Sequence, residues 1–177
     1  VMVGEIRDGE TATIAVEAAL TGHMVLSTLH TNDAAGAIAR LTDMGIEPFM
    51  LSSSVLLTQA QRLYRKLCPV CKKEIDIPLE ILKRNRLDPA LFEGTQFYQT
   101  AGCPKCNGIG YKGRGALMEI LLVNDVIRRT ILTNPEADAI AKIAIENGMR
   151  TLRDAGLERL REGMTSIEEI MRVTSEH

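Results

Sequence analysis

Two Cys-x-x-Cys pairs, Cys68-Pro-Val-Cys71 and Cys103-Pro-Lys-Cys106, contain all four cysteines of this 177-residue chain. They constrain its folding more than any other feature. In an oxidised, secreted protein they would read as two disulfides. No charged-then-apolar signal segment stands at the start, and paired x-x spacing suits metal knuckles in a reduced compartment. Four thiolates without an open position make a closed tetrahedral zinc site, structural rather than catalytic, with about one zinc per chain. The gap of 31 residues, 72–102, exceeds the usual ribbon spacing and predicts one short helix over IPLEILKRNRL. The stretch has little apolar core of its own, so metal is expected to supply much of its folding free energy. The run CPKCNGIG fits the unit of chaperone zinc domains, but CPVCKKEI does not, and those domains need several units.

The residues before the first pair alternate in the α/β manner. Val1–Glu5 reads as a strand, Thr11–Leu20 as a helix stopped at Gly22, and Met24–His30 as a second strand. Asn32 or Asp33 caps a helix that Gly45 ends. Glu47–Pro48 opens another, expected to carry MLSSSVLLTQAQRLYRKL to Cys68. A strand–helix–strand run with short connections implies a right-handed crossover and a parallel sheet. Two strands make no sheet core, and the chain opens at Val1 inside a strand. It is therefore expected to be a piece of a longer protein whose further strands lie upstream.

After the metal stretch, Ala116–Val123 reads as extended and the rest as helices. Asn134-Pro-Glu136 opens one that Gly148 stops, and LRDAGLERLREG ends at Gly163. Thr165-Ser-Ile-Glu168 is a capping box for the last. Ile140, Ile143, Ala144 and Met149, and then Leu157, Leu160 and Met164, fall near helical spacing and read as packing faces. The expected organisation is 1–67 as part of an α/β domain, 68–115 as a tetracysteine module, and 116–177 as a strand plus helical subdomain.

Glu5 and His30 end the two predicted strands, and ligands of open parallel sheets bind outside those ends. The Thr31-Asn-Asp run beyond His30 leads into a helix N-terminus, which favours anions. An acid that orients water or metal, with an imidazole that feels a terminal phosphate, makes a workable pair. The plainer alternative is a salt bridge between Glu5 and Arg7 and a hydrogen-bonded structural His30. His23 lies about 23 Å from His30 if the whole strand is extended at about 3.3 Å per residue. It is then structural or at an interface.

Net charge is −2 and the pI near 6.0, which gives no electrostatic push towards nucleic acid. Aromatic content of 3% leaves few stacking platforms. No stretch approaches the roughly 20 apolar residues that span a bilayer.

GEIRDGETA, ALTGHMVLSTLHTNDA, MGIEPFMLSSS, AQRLYRKLCPVC and GCPKCNGIGYKGRGALMEIL together resemble the ATPases of type II secretion and type IV pilus assembly. The tail GMRTLRDAGLERLREGMTSIEEIMRVT continues the resemblance, which covers nearly the whole chain. It implies a partial RecA-like P-loop ATPase domain with an inserted tetracysteine zinc module and a C-terminal helical region. It also implies a homo-hexameric motor, cytoplasmic and peripheral to the inner membrane. ATP and Mg are then the full-length protein's cofactors, and a platform membrane protein and other secretion or pilus components its partners. GEIRD resembles the family's Walker B segment, with Glu5 as the catalytic carboxylate. Gly22-His23 to His30-Thr31 resembles its histidine box, with His30 the better candidate for sensing the γ-phosphate, and Cys68, Cys71, Cys103 and Cys106 resemble its metal module. The module favours the secretion and pilus-extension branch over retraction motors. The phosphate-binding Gly-x-x-x-x-Gly-Lys-[Ser/Thr] is absent from these residues and expected before Val1, so the piece alone is expected to be inactive. The competing expectation is a non-enzymatic, zinc-stabilised interaction module carrying an inert ATPase remnant; a zinc-ribbon nucleic-acid binder is disfavoured by charge and aromatic content.

Overall fold

A computed structural model describes residues 1–85 and 87–175. Arg86, inside the helix expected over IPLEILKRNRL, and the last two residues of the expected helical subdomain lie outside the described residues. The chain folds into two compact units, each built from two separate stretches.

The first unit takes Val1–Ala60 and Glu119–Thr151. Strand β1 (Met2–Val3) pairs parallel with β2 (Leu26–Ser27), Met2 opposite Leu26, with α1 (Gly9–Leu20) as the crossover. The parallel pairing expected from the spacing is present, over fewer residues than Val1–Glu5 and Met24–His30 suggested. Asp8 caps α1 by accepting the Thr11 N–H at 2.8 Å, so the helix begins two residues before Thr11. Next come α2 (Ala34–Asp43), capped by Asp33, and α3 (Pro48–Ser54), opened by Glu47 and Pro48. Gly45 takes φ 92 after α2, a left-handed turn that a side chain would strain.

The helix expected over residues 48–67 stops at Ser54, and Leu57–Leu67 is instead a strand, β3. LTQAQRLYRKL is rich in good helix formers, and its buried residues Ala60, Tyr64 and Leu67 fall four and three apart, as on a helix. What overrides this is a distant partner, the strand β6 (Tyr111–Leu122), with which β3 pairs. Val123 N–H donates to the Leu56 carbonyl at 3.0 Å where the two strands meet in this unit. Helices α5 (Asp125–Thr133) and α6 (Ala137–Glu146) complete it: α3 packs on α5 and α1, and α2 and α5 on α6. Ile38, Leu51, Ile131 and Ile140 are fully buried there, each contributing about 2 kcal/mol of hydrophobic stabilisation.

The second unit takes Gln61–Met118 and the chain from Leu152 onward. Sequence order suggested three consecutive parts, 1–67, 68–115 and 116–177. The two compact units are each made of two stretches, and β3 and β6 both begin in one unit and end in the other. Between them lie β4 (Lys73–Ile75), α4 (Leu79–Arg84), a 3-10 turn at Pro89–Phe92, and β5 (Phe97–Gln99), which pairs antiparallel with β4. Helices α7 (Leu152–Arg161) and α8 (Ile167–Thr174) pack on each other. The last cap is one residue off the expected frame: Ser166, not Thr165, accepts the Glu169 N–H, while the Thr165 hydroxyl donates to the Arg65 carbonyl at 2.9 Å. Glu169 is held elsewhere, so no reciprocal box forms. Leu157 and Leu160 are buried as expected, but Met164 is 36% exposed and contributes its carbonyl, which accepts the Leu67 N–H.

Candidate active-site edge and metal centre

Glu5 leaves β1 where the sheet continues past its regular pairs. Ile6 N–H donates to the Thr28 carbonyl at 3.0 Å, and the Thr28 hydroxyl to the Gly4 carbonyl at 2.7 Å, so both flanks of Glu5 are tied to the neighbouring chain. The carboxylate is 20% exposed. Arg7 donates to its Oε2 at 2.5 Å, and His30 Nε2 lies in contact with its Oε1. Oε1 is buried and accepts no aligned hydrogen bond among the described residues. The structure thus brings Glu5, Arg7 and His30 together. The Arg7 contact weighed above is also there; with Arg7 76% exposed, it stabilises little.

His23 stands apart from that group. Its backbone N–H donates to the Ala18 carbonyl, and its Nδ1 lies 3.2 Å from the same oxygen and 3.3 Å from the Thr21 hydroxyl. It belongs to the turn that ends α1 and not to a strand.

The N-terminus of α2 is not the open anion site that its sequence suggested. Asp33 Oδ1 accepts the Gly36 N–H at 2.6 Å, and Glu119 Oε1, from β6, accepts the Ala34 N–H at 2.8 Å. Two protein carboxylates already serve the helix end that was expected to favour a phosphate.

The four cysteines, 35 residues apart in two cross-pairs, form one cluster with all four Sγ within 4.8 Å of each other. Cys68–Cys103 is 3.9 Å, and Cys71–Cys106 and Cys103–Cys106 are each 3.8 Å. A disulfide needs about 2.05 Å. Four sulfurs about 2.3 Å from a tetrahedral centre stand about 3.8 Å from one another. The spacing fits a four-thiolate metal site, and these residues can hold a metal ion. Burial raises the Cys106 thiol, but N–H groups of Cys103 and Gly110 and the neighbouring thiols outweigh it and bring it to about 6. Burial and its shared bonds with Cys103, Cys106 and Cys68 push Cys71 up to about 12. Like charges this close ionise together only when a cation compensates them.

Two buried acids escaped the sequence reading. Glu119 is 5% and Glu169 1% exposed. Glu119 breaks the period-2 row Leu117–Leu121, and Glu169 stands between Ile167 and Ile170, so an acid inside an apolar row was the available signal. Glu169 receives Arg65 through its backbone N–H at 2.8 Å and guanidinium at 2.6 Å, and Arg172 at 2.6 Å. Arg65 also stacks over the Tyr111 ring at 4.2 Å, and the Tyr111 hydroxyl meets Ser166 Oγ at 2.8 Å. Burial disfavours the Glu169 anion, but the bonds from Arg172 and Arg65 outweigh it and hold the carboxyl at about 2. The folded value lies below the ordinary 4.5, so this stabilisation is complete above pH 4.5 and lost as pH falls towards 2. Both arginines are about half exposed, which screens the gain to about 1–3 kcal/mol. Denaturant unfolding of the second unit should weaken across that window, and much less in Glu169→Gln; equal slopes in both proteins would refute the role.

The first unit is an α/β fold with a parallel β–α–β entry, and Glu5 and His30 lie just beyond its two strands. Solved structures that the chain resembles share its fold. They include the pilus retraction motor PilT with bound ADP (TM-score 0.65, 24% identity, 99% of this chain and 39% of that one). The Legionella pneumophila ATPase DotB aligns with TM-score 0.64 at 22% identity, over 97% of this chain and 37% of that one. The chain belongs to the Type II/IV secretion system protein family, which matches residues 1–172. It is 52% identical to the type II secretion system ATPase E of Vibrio cholerae and 49% identical to the type IV pilus assembly ATPase PilB of Thermus thermophilus, over 176 residues in each case. Those alignments cover 99% of this chain but 34% and 20% of the relatives, so the chain spans about a third of their length or less. No helix among the described residues is long and apolar enough to cross a membrane.

Proposed function

We propose that the full-length protein is a homo-hexameric motor that hydrolyses ATP, with Mg2+, to power type II secretion or type IV pilus assembly. The observation that carries this is Glu5 at the strand edge, its buried Oε1 facing His30, within a chain of this family. Glu5 orients the attacking water in line with the γ-phosphate, and His30 meets the terminal phosphate. Mg2+, when bound with ATP, neutralises phosphate charge. Arg7 holds Glu5 in the state described here, and His23 shapes the end of α1 or an interface. Cys68, Cys71, Cys103 and Cys106 would hold zinc through four thiolates, and a metal so closed off would serve the fold rather than catalysis. The motor works at the cytoplasmic face of the inner membrane, peripheral to it, against a platform membrane protein and other secretion or pilus components. Nucleic acid is not among its partners.

Residues 1–177 contain no phosphate-binding Gly-x-x-x-x-Gly-Lys-[Ser/Thr]. Assayed alone they should bind ATP poorly and release no phosphate, while the full-length protein turns ATP over. Turnover by the 177 residues that disappears on Glu5→Gln would overturn the first expectation. A full-length protein without turnover would leave the other reading, a zinc-stabilised interaction module with an inert remnant, which the Glu5–Arg7 ion pair favours.

A further inference from the structure

Glu119 is an acid where β6 otherwise buries leucine. A buried carboxylate costs several kcal/mol unless its oxygens are met, and a leucine of similar size would avoid that. Nor does α2 need it in order to begin. Asp33 already supplies the local cap, so the helix would start with no help from a residue 85 positions away. Yet Ala34 is held at both of its polar ends by strands. Its N–H goes to Glu119 on β6, and its carbonyl accepts the Thr58 hydroxyl of β3 at 2.7 Å.

Four residues back from Ala34 is His30, the imidazole that faces Glu5. The intervening turn is short and tied on itself, with the Thr31 hydroxyl donating to the Asp33 carbonyl at 3.1 Å. Ala34 is thereby the nearest anchored point on the helix side of His30. We infer that Glu119 is a positioning residue for His30: by holding the first N–H of α2, it fixes the loop that presents the imidazole to Glu5. The inference rests on the ATP-hydrolysis reading above. Misplacing a reacting group by about 1 Å slows a reaction by about 100-fold, which bounds the expected effect from above.

The test compares Glu119→Leu, Glu119→Gln and Thr58→Val in the full-length protein, reading kcat and KM for ATP together with amide exchange at Ala34. Glutamine keeps an acceptor for the Ala34 N–H and leucine does not. The leucine variant should lose about 10- to 100-fold in kcat with KM changed less than about 3-fold, and exchange Ala34 faster. The glutamine variant should stay within about 3-fold of the unmodified protein in kcat, with Ala34 protected. Unchanged kcat in the leucine variant, or equal loss in both, overturns the inference. Should the leucine variant fail to fold, Thr58→Val decides: a fall in kcat at constant KM supports it, and an unchanged kcat overturns it. A wild-type protein without ATP turnover removes the hydrolysis reading instead. Exchange across Thr31–Ala34 then decides the positioning role, which falls if Glu119→Leu leaves that exchange unchanged.

Discussion

Full-length protein stripped of metal by a strong chelator should lose the fold of the cysteine module between β3 and β6 and keep that of its first unit. The sulfur cluster sits at the root of the module: Cys68 directly follows β3, and its N–H donates to the Gly110 carbonyl at 2.9 Å. Around it the apolar core is small: among the described residues Leu82, Leu87, Phe92 and Phe97 are the buried side chains between β4 and β5, with Phe92 against Phe97 at 5.5 Å. Contacts outward depend on the knuckle's shape. Lys72, next to Cys71, donates to the Gly163 carbonyl at 3.0 Å and stands over the Tyr98 ring at 4.1 Å. Structural zinc contributes about 10–16 kcal/mol of apparent binding free energy in small modules, as much as a whole domain's ordinary stability of about 5–15 kcal/mol. Amide protection through residues 68–111 should therefore collapse on chelation and return on adding zinc, with Cys68→Ser behaving as the chelated protein does. Identical melting with and without metal would sink the structural role.

Glu5→Gln in the full-length protein should reduce ATP turnover by about 100- to 10,000-fold, the usual contribution of a positioned acid or base. The amide keeps the size and can still meet Arg7, but it carries no charge and is a poorer acceptor for a water proton at Oε1. Nucleotide affinity should change little, because a loss confined to the transition state leaves ground-state binding intact. Turnover within about 3-fold of the unmodified protein would leave Glu5 as a partner of Arg7 and nothing more.

The parts of the fold legible in the sequence were those written in local chemistry. Asp33 as a cap, Pro48 after Glu47, and the stops at Gly45 and Gly148 act through their own backbone neighbours, and all four are where the residue types placed them. The thiol cluster was legible because ligand spacing constrains geometry directly. What stayed hidden was set by partners distant in sequence. Nothing within LTQAQRLYRKL announces that β6 will pair with it. Nothing near Asn32 shows that Glu119 will occupy the helix end. Thr165 and Ser166 are both good caps, and the choice between them was made by Arg65, whose carbonyl takes the Thr165 hydroxyl. At the strand edge, the sequence supplied Glu5 and His30, while Thr28, which ties the chain beside Glu5, carried no signal of its own.

The bond from Cys68 to Gly110 closes the neck of an excursion that leaves one strand and returns by its partner. Everything between is a detour from a hairpin that would be complete with a two-residue turn. Doubling such a detour in length costs only about 0.6 kcal/mol in closure entropy, so its size is nearly free to drift. Lineages can therefore lengthen it, exchange its contents or discard it while the pair of strands beneath keeps its register. An engineer can use the same neck as a grafting point, replacing residues 69–109 with an Asn-Gly turn or a foreign binding loop.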